Sequence, residues 1–214
     1  MTDEQLTRLR TPVFWLLGLV TACSLLGTAL APYLLVKSPL LLVAISPAAH
    51  HVALAAATVD PLPLITVAAL RRTMTGIGAY GLGLLYGRSA LGWLDERHPR
   101  LARLVNWVER LFTRWGVGIL VLAPAPTVAL FAGAARAHFG LFLLAVTLGH
   151  ALWNSVTYFV GDALAIWTDL LTDFIGENLL ESTLVCIALV TLQQAISRLL
   201  RRRRQAALGA PPAS

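Results

Sequence analysis

Two stretches of this chain share one plan: a mostly apolar segment broken by proline, followed at once by a long apolar helix. One runs from Trp115 to Asp162. Pro124 and Pro126 stand at the middle of its broken segment and Ala132-Gly133 at the end. Arg136 and His138 come next, then a helix carrying His150, Asn154 and Thr157. The other runs from Pro39 to Arg88. It is broken at Pro47, Pro61 and Pro63, has Arg71 and Arg72 at its exit, and continues into a Gly-rich helix ending Tyr86-Gly87-Arg88. Proline inside an apolar run removes a helical hydrogen bond. Irregular backbone survives at membrane depth only where protein or a water-filled cavity covers it. Two copies of a broken hairpin leading into a spanning helix point to a membrane transport core built from a repeat.

Composition agrees. Charged residues make up 13% of the chain and hydrophobic ones 57%, against about 25% charge in a soluble domain. A spanning helix takes roughly 20 apolar residues, so 214 residues allow a handful of spans in one domain. The net charge of +6 is no nucleic-acid footprint, because the arginines flank apolar runs, which is how membrane topology is written. The basic tail, Arg198 and Arg201 to Arg204, also suits anionic lipid. Cys23 and Cys186 fall inside apolar runs, where thiols pack as small apolar groups. No metal-ligand spacing surrounds them, and no cofactor is expected.

The expected fold is an all-α polytopic membrane protein with four transmembrane helices and two opposed re-entrant hairpins in an inverted repeat. Residues 1–12 form a cytoplasmic N-terminus, 13–200 the membrane domain and 201–214 a basic, disordered cytoplasmic tail. The spans are Val13–Val36, Thr73–Gly92, His138–Ala163 and Leu179–Leu200. Ala29-Leu30-Ala31 has the look of a signal-peptidase site, but the run before it is longer than a signal core of about 7–15 residues. The first hairpin covers Pro39–Leu70, with its tip near Asp60; the second covers Trp115–Ala135. Trp93–Arg114 reads as a basic amphipathic helix on the cytoplasmic surface, or packed on the bundle. Leu164–Asn178, with Asp169, Asp173 and Glu177 and no Lys or Arg, reads as an external loop. This arrangement leaves only Lys37, Arg71 and Arg72 outside, among 17 basic residues, as the positive-inside rule prefers.

Candidate site residues follow from charge at membrane depth, which is costly and functional by default. His50, His51 and Asp60 lie in or near the first hairpin. Asp60 suits a proton or a cationic headgroup, or the start of a helix before Pro61. His150 titrates in the range of a proton relay, or bonds a nearby carbonyl. Arg71, Arg72 and Arg136 stand at hairpin exits, where they capture a phosphate headgroup or anchor the interface. Thr73, Gly76, Tyr80, Gly83 and Gly87 share a helical face. So do Thr147, His150, Asn154, Thr157 and Gly161, offset by 74; both stripes line a path or pack helices closely. The chain contains no His-Glu-x-x-His, Gly-x-Ser-x-Gly or P-loop, so an enzyme is not expected.

Taken in order, Tyr80, Tyr86-Gly87-Arg88, the stretch at Gly116, Ala132-Gly133, Phe139, Phe142, Trp153 and Tyr158 to Gly161 resemble the DedA family, the SNARE-associated or VTT-domain membrane proteins. The likeness spans residues 39–163. It implies two opposed re-entrant hairpins and lipid translocation: polyprenyl-phosphate recycling in bacterial members, phospholipid scrambling in eukaryotic ones. The chain departs from the family's acidic residues and Pro-Gly in the first hairpin, having His50, His51 and Asp60-Pro61. It also lacks arginine around Pro124 and Pro126. The expectation is a flippase or scramblase-like translocase of a phosphate-bearing lipid in the cell membrane, with both termini cytoplasmic. Its substrate site draws on Asp60, Arg71, Arg72, Arg88, Arg136, His50, His51, His150 and Asn154. Its partners are membrane lipids, with protons as a candidate coupling ion, self-association as an option and no nucleic acid. The alternatives are a non-transporting interaction scaffold and a small proton-coupled exporter.

Overall fold

The computed structural model describes residues 3–97 and 117–209, with side chains described over 8–87 and 118–200. The described chain is all-α. Helices α1 (Asp3–Ala29) and α2 (Ala31–Lys37) precede a first helical hairpin, α3 (Pro39–Ile45) and α4 (Ala49–Ala55). The long α5 (Pro61–Arg97) follows. A second hairpin, α6 (Val117–Leu122) and α7 (Pro126–Ala134), leads into α8 (Phe139–Ala163), α9 (Ala165–Glu177) and α10 (Leu179–Gly209). Among the described residues, three stretches are long and apolar enough to cross a membrane, Arg8–Ala29, Phe139–Ala163 and Leu179–Leu200, which marks the chain as a membrane protein. Leu179–Leu200 buries none of its length in the protein. Leu180, Leu184, Val185, Leu189 and Leu192 are exposed along it, as on a helix solvated by lipid.

Several boundaries differ from the sequence expectation. The first hairpin turns at Ser46-Pro47-Ala48, not near Asp60. Pro61 and Pro63 sit in the first turn of α5, where the missing N–H has no helical acceptor anyway. They therefore start a helix rather than break one. The helix expected from Thr73 begins three turns earlier, at Pro61. The Val13–Val36 run divides after Ala29, with Pro32 in the first turn of α2. Leu164–Asn178 is not a loop but holds α9, whose Thr168 is buried while Ile166, Trp167 and Leu170 are exposed. The helix of α10 continues through Arg201–Arg204 to Gly209, where composition suggested disorder. The surface helix expected over Trp93–Arg114 lies outside the described residues beyond Arg97, and so does the side chain of Arg88.

The two halves correspond closely. Each hairpin tip is a Pro-centred triplet closed by a tight turn: Ala48 N–H donates to Ser46 O at 2.9 Å and Ala125 N–H to Ala123 O at 2.7 Å. An i→i+2 bond of this kind needs the central φ that proline already holds. The long helices match with an offset of 78, Pro61 with Phe139, rather than the 74 read from their polar stripes. Helices α5 and α8 run antiparallel. Thr73 Oγ1 lies 3.3 Å from Thr147 Oγ1, and the Tyr80 ring stacks on Phe142 nearer the start of α8, with centroids 4.5 Å apart.

Small residues let each long helix approach the hairpin of the other half. A Cβ on Gly83 would strike the Leu130 carbonyl of α7, and one on Gly133 the Tyr80 carbonyl of α5. Gly161, the counterpart of Gly83, meets the Ala53 carbonyl of α4 in the same way. Without lipid-excluding hydrophobic force between helices, such close backbone contact is what holds them together. Around it, Leu120, Ala129, Ala132, Phe142 and Val146 fill one core, and Val43, Val52, Leu64, Ala68 and Tyr158 another.

Candidate functional site

The tips of the two hairpins meet across a cavity of about 440 Å³, lined by Ser46, Pro47, Thr75, Pro124, Pro126, Arg72 and His150 among others. Both breaks thus open onto one space, and the long helices supply its charged and titratable groups. Arg72 lies on α5 and His150 on α8, 78 positions apart, so the two are counterparts in the repeat. No acidic side chain lines the cavity.

A helix limb that stops inside the protein leaves its last carbonyls without helical partners. In the first hairpin arginines satisfy them. Arg71 Nη2 donates to Ile45 O at 3.2 Å, and to Val20 O at 2.8 Å and Ser24 Oγ at 3.4 Å on α1. Arg72 Nε donates to Pro47 O at 2.8 Å. His51 Nδ1 donates to Ser46 O at 2.7 Å, which fixes its tautomer because a carbonyl only accepts. In the second hairpin the corresponding carbonyl, Leu122 O, accepts from Trp153 Nε1 at 2.8 Å. Among the described residues no cation hydrogen-bonds to that tip.

This places Arg71 and Arg72 elsewhere than expected. They stand not at an outer mouth but three turns into α5, clamping either side of Ser46. The apolar look of the flanking sequence concealed this, because the carbonyls they bond belong to the backbone and leave no trace in residue type. Asp60 is likewise not at a tip. It is exposed, and its carbonyl accepts the Leu64 N–H, so it occupies the cap position of α5. His50 is exposed and packs edge-on against His51, with centroids 4.2 Å apart. Arg136 is exposed at the C-terminal end of α7, away from the tips. Of the candidate residues, Arg72 and His150 line the shared cavity, while Arg71 and His51 brace its wall.

Some hydrogen-bonding capacity is left over. His150 is 6% exposed and Asn154 fully buried, and neither His150 Nδ1 nor either amide atom of Asn154 has a partner. Asn154 lies one turn beyond His150 on the same face of α8. Buried polar groups are normally paired; His150 itself lines the cavity, whereas Asn154 is packed behind that lining. Arg72 spends only Nε on Pro47, leaving its terminal nitrogens without a bond to the described residues. Thr75, Ser46 and Thr28 add hydroxyls to the lining. The arrangement is cationic, hydroxyl-bearing and enclosed by two breaks in the backbone, and it suits an oxyanion. Among the described residues no group of three or more His, Cys, Asp or Glu stands ready for a metal ion. Comparison of the chain with protein-family models, with curated proteins and with solved structures finds no match.

Proposed function

We propose that this protein is a membrane lipid translocase, of the flippase or scramblase type, for a lipid whose headgroup carries phosphate. The observation that carries this reading is the single cavity at which both hairpin tips meet, with Arg72 and His150 facing it from equivalent places in the two halves. In this reading the chain makes four spans, α1, α5, α8 and α10. The hairpins α3–α4 and α6–α7 enter the bilayer from opposite sides. Both termini lie in the cytoplasm, as the arginine distribution favours, and the membrane is the cell membrane.

The headgroup passes between the tips while its acyl or prenyl tail stays in lipid. Arg72 meets the phosphate by charge-assisted hydrogen bonds, and His150 and the tip hydroxyls take the remaining oxygens. A single fixed cation holds a phosphate without trapping it, which suits passage rather than storage. The order of the tip and helix residues is the one in which the chain resembles the DedA family, and membership of that group is part of the proposal.

Reconstitution into liposomes with labelled phospholipid or labelled polyprenyl phosphate tests it. The wild-type protein should equilibrate at least one of the two between leaflets. Arg72→Gln combined with His150→Gln should slow that transport about tenfold or more, since a hydrogen bond to a charged group contributes about 1.5–3 kcal/mol. Transport by the double variant at the wild-type rate would place the path elsewhere. Absence of lipid movement by folded wild-type protein would favour a non-transporting scaffold on the same architecture.

A further inference from the structure

A second space, of about 520 Å³, lies away from the hairpin tips, between α1, α5 and the start of α8. Its walls are the apolar side chains of Leu9, Val13, Ile77, Leu84 and Phe139. Among the described residues that line it, Tyr80 and Arg136 carry its polar side chains. Tyr80 spends its hydroxyl on Ala137 O at 2.6 Å, so among the described lining residues Arg136 is the polar group left to meet a ligand. No acidic residue lines the groove, and Arg136 makes no ion pair with a described residue.

Arg136 is also an unusual residue for its place. It follows the end of α7 with φ 54°, the left-handed conformation. Ala137 N–H donates back to Ala132 O at 2.9 Å and Arg136 N–H to Gly133 O at 3.0 Å. This is a helix stop of the kind that normally places glycine at the left-handed position. An L side chain is disfavoured there. The chain accepts that cost and puts a guanidinium beside an apolar groove.

The geometry points to a resident-lipid site: the groove takes one acyl chain of an anionic phospholipid, and Arg136 binds the phosphate of its headgroup. Charge complementarity decides the class of occupant, since the lining offers one cation, apolar walls and nothing to meet a positive headgroup. Arg10, next to Leu9 on α1, adds to the positive field at that end. The site is separate from the cavity between the tips, and it does not depend on lipid being transported there.

Native mass spectrometry of the full-length protein, purified from a membrane containing phosphatidylglycerol and phosphatidylcholine, tests this. Wild-type protein should keep one phosphatidylglycerol per chain through exhaustive detergent washing. Arg136→Gly relaxes the left-handed backbone while removing the charge, so it keeps the fold and should lose that lipid at least tenfold more readily. Arg136→Lys should retain it in part, and Leu84→Trp, which fills the groove, should exclude it. Arg72→Gln, at the other cavity, should retain it fully. Retention by Arg136→Gly equal to that of wild type would overturn the proposal whether or not Leu84→Trp folds. Equal retention of phosphatidylcholine by the wild type, or loss from Arg72→Gln alone, would overturn it as well.

Discussion

Tyr80 and Tyr158 do the same work from opposite halves of the chain. The Tyr80 hydroxyl donates to Ala137 O, just before α8, at 2.6 Å, and the Tyr158 hydroxyl donates to Val59 O, just before α5, at 3.2 Å. Tyr158 lies 78 positions after Tyr80, and Ala137 lies 78 after Val59. Each long helix therefore pins the entry of the other, and together the bonds fix the antiparallel register of α5 and α8. Tyr80→Phe and Tyr158→Phe remove one neutral hydrogen bond each, about 0.5–1.5 kcal/mol apiece. The bonds sit at opposite ends of the helix pair, so the double variant should lose close to the sum. Unfolding of the purified variants in denaturing detergent measures this. A double variant no weaker than either single one would mean that the two bonds act as one.

Glycine spacing makes a sharper distinction. Gly83 meets the Leu130 carbonyl with no room for a methyl group, whereas a Cβ on Gly18 in α1 meets nothing within 4 Å. Gly83→Ala must push α5 from α7 and should cost about 1–3 kcal/mol, the usual range for overpacking. Gly18→Ala should instead be neutral or stabilising, since alanine outranks glycine in a helix by about 1 kcal/mol. Thermal stability in the same detergent would compare them. Equal melting temperatures for the two variants would refute the close approach of α5 and α7.

Much of the architecture was legible in the sequence, and the reasons for success and failure are specific. Apolar runs announced α1, α8 and the first part of α10, because length and composition suffice for them. Pro124 marked the second tip correctly. Pro47 should have marked the first, but Asp60-Pro61-Leu62-Pro63 is the denser break signal. Only position within the helix separates a proline that starts a segment from one that interrupts it. The repeat was legible, yet its register was missed by four positions, about one helical turn. A stripe of polar and small residues looks much the same after such a slip, and the Tyr80 and Tyr158 bonds fix the alignment. Of the site, residue type points to Arg72 and His150 but not to their meeting. Contacts from Arg71 and Arg72 to backbone carbonyls 25 or more positions away have no signature in residue type.

The antiparallel halves also predict topology. The linker before α5 and the linker before α8 lie at opposite ends of the α5–α8 pair, so in the proposed topology they face opposite compartments. With Cys23 and Cys186 replaced by serine, Thr58→Cys and Ala135→Cys place single thiols at two exposed positions. An impermeant maleimide should label Thr58→Cys from outside intact cells. Ala135→Cys should react only after the membrane is opened. Labelling of both from one side would rule out opposed hairpins.

The two tips differ in how firmly they are held, and that difference predicts which one moves. The first tip has three side chains on consecutive carbonyls, Arg71 on Ile45, His51 on Ser46 and Arg72 on Pro47. Two of those donors are guanidinium groups, whose bonds contribute about 1.5–3 kcal/mol each. Among the described residues the second tip has one neutral side-chain donor, Trp153, a residue 47% exposed, on Leu122. A neutral bond contributes about 0.5–1.5 kcal/mol, so local opening of α6–α7 should be favoured over α3–α4 by more than 1.4 kcal/mol, or tenfold. Hydrogen exchange of the protein in nanodiscs should show the backbone amides around Ala123 and Ala125 exchanging at least tenfold faster than those around Ser46 and Ala48. Trp153→Phe should speed the second tip alone, and Arg71→Met the first. In the proposed path the second hairpin is then the gate and the first the fixed wall. Equal protection at the two tips, or a Trp153→Phe effect spread over both, would remove the basis for that assignment.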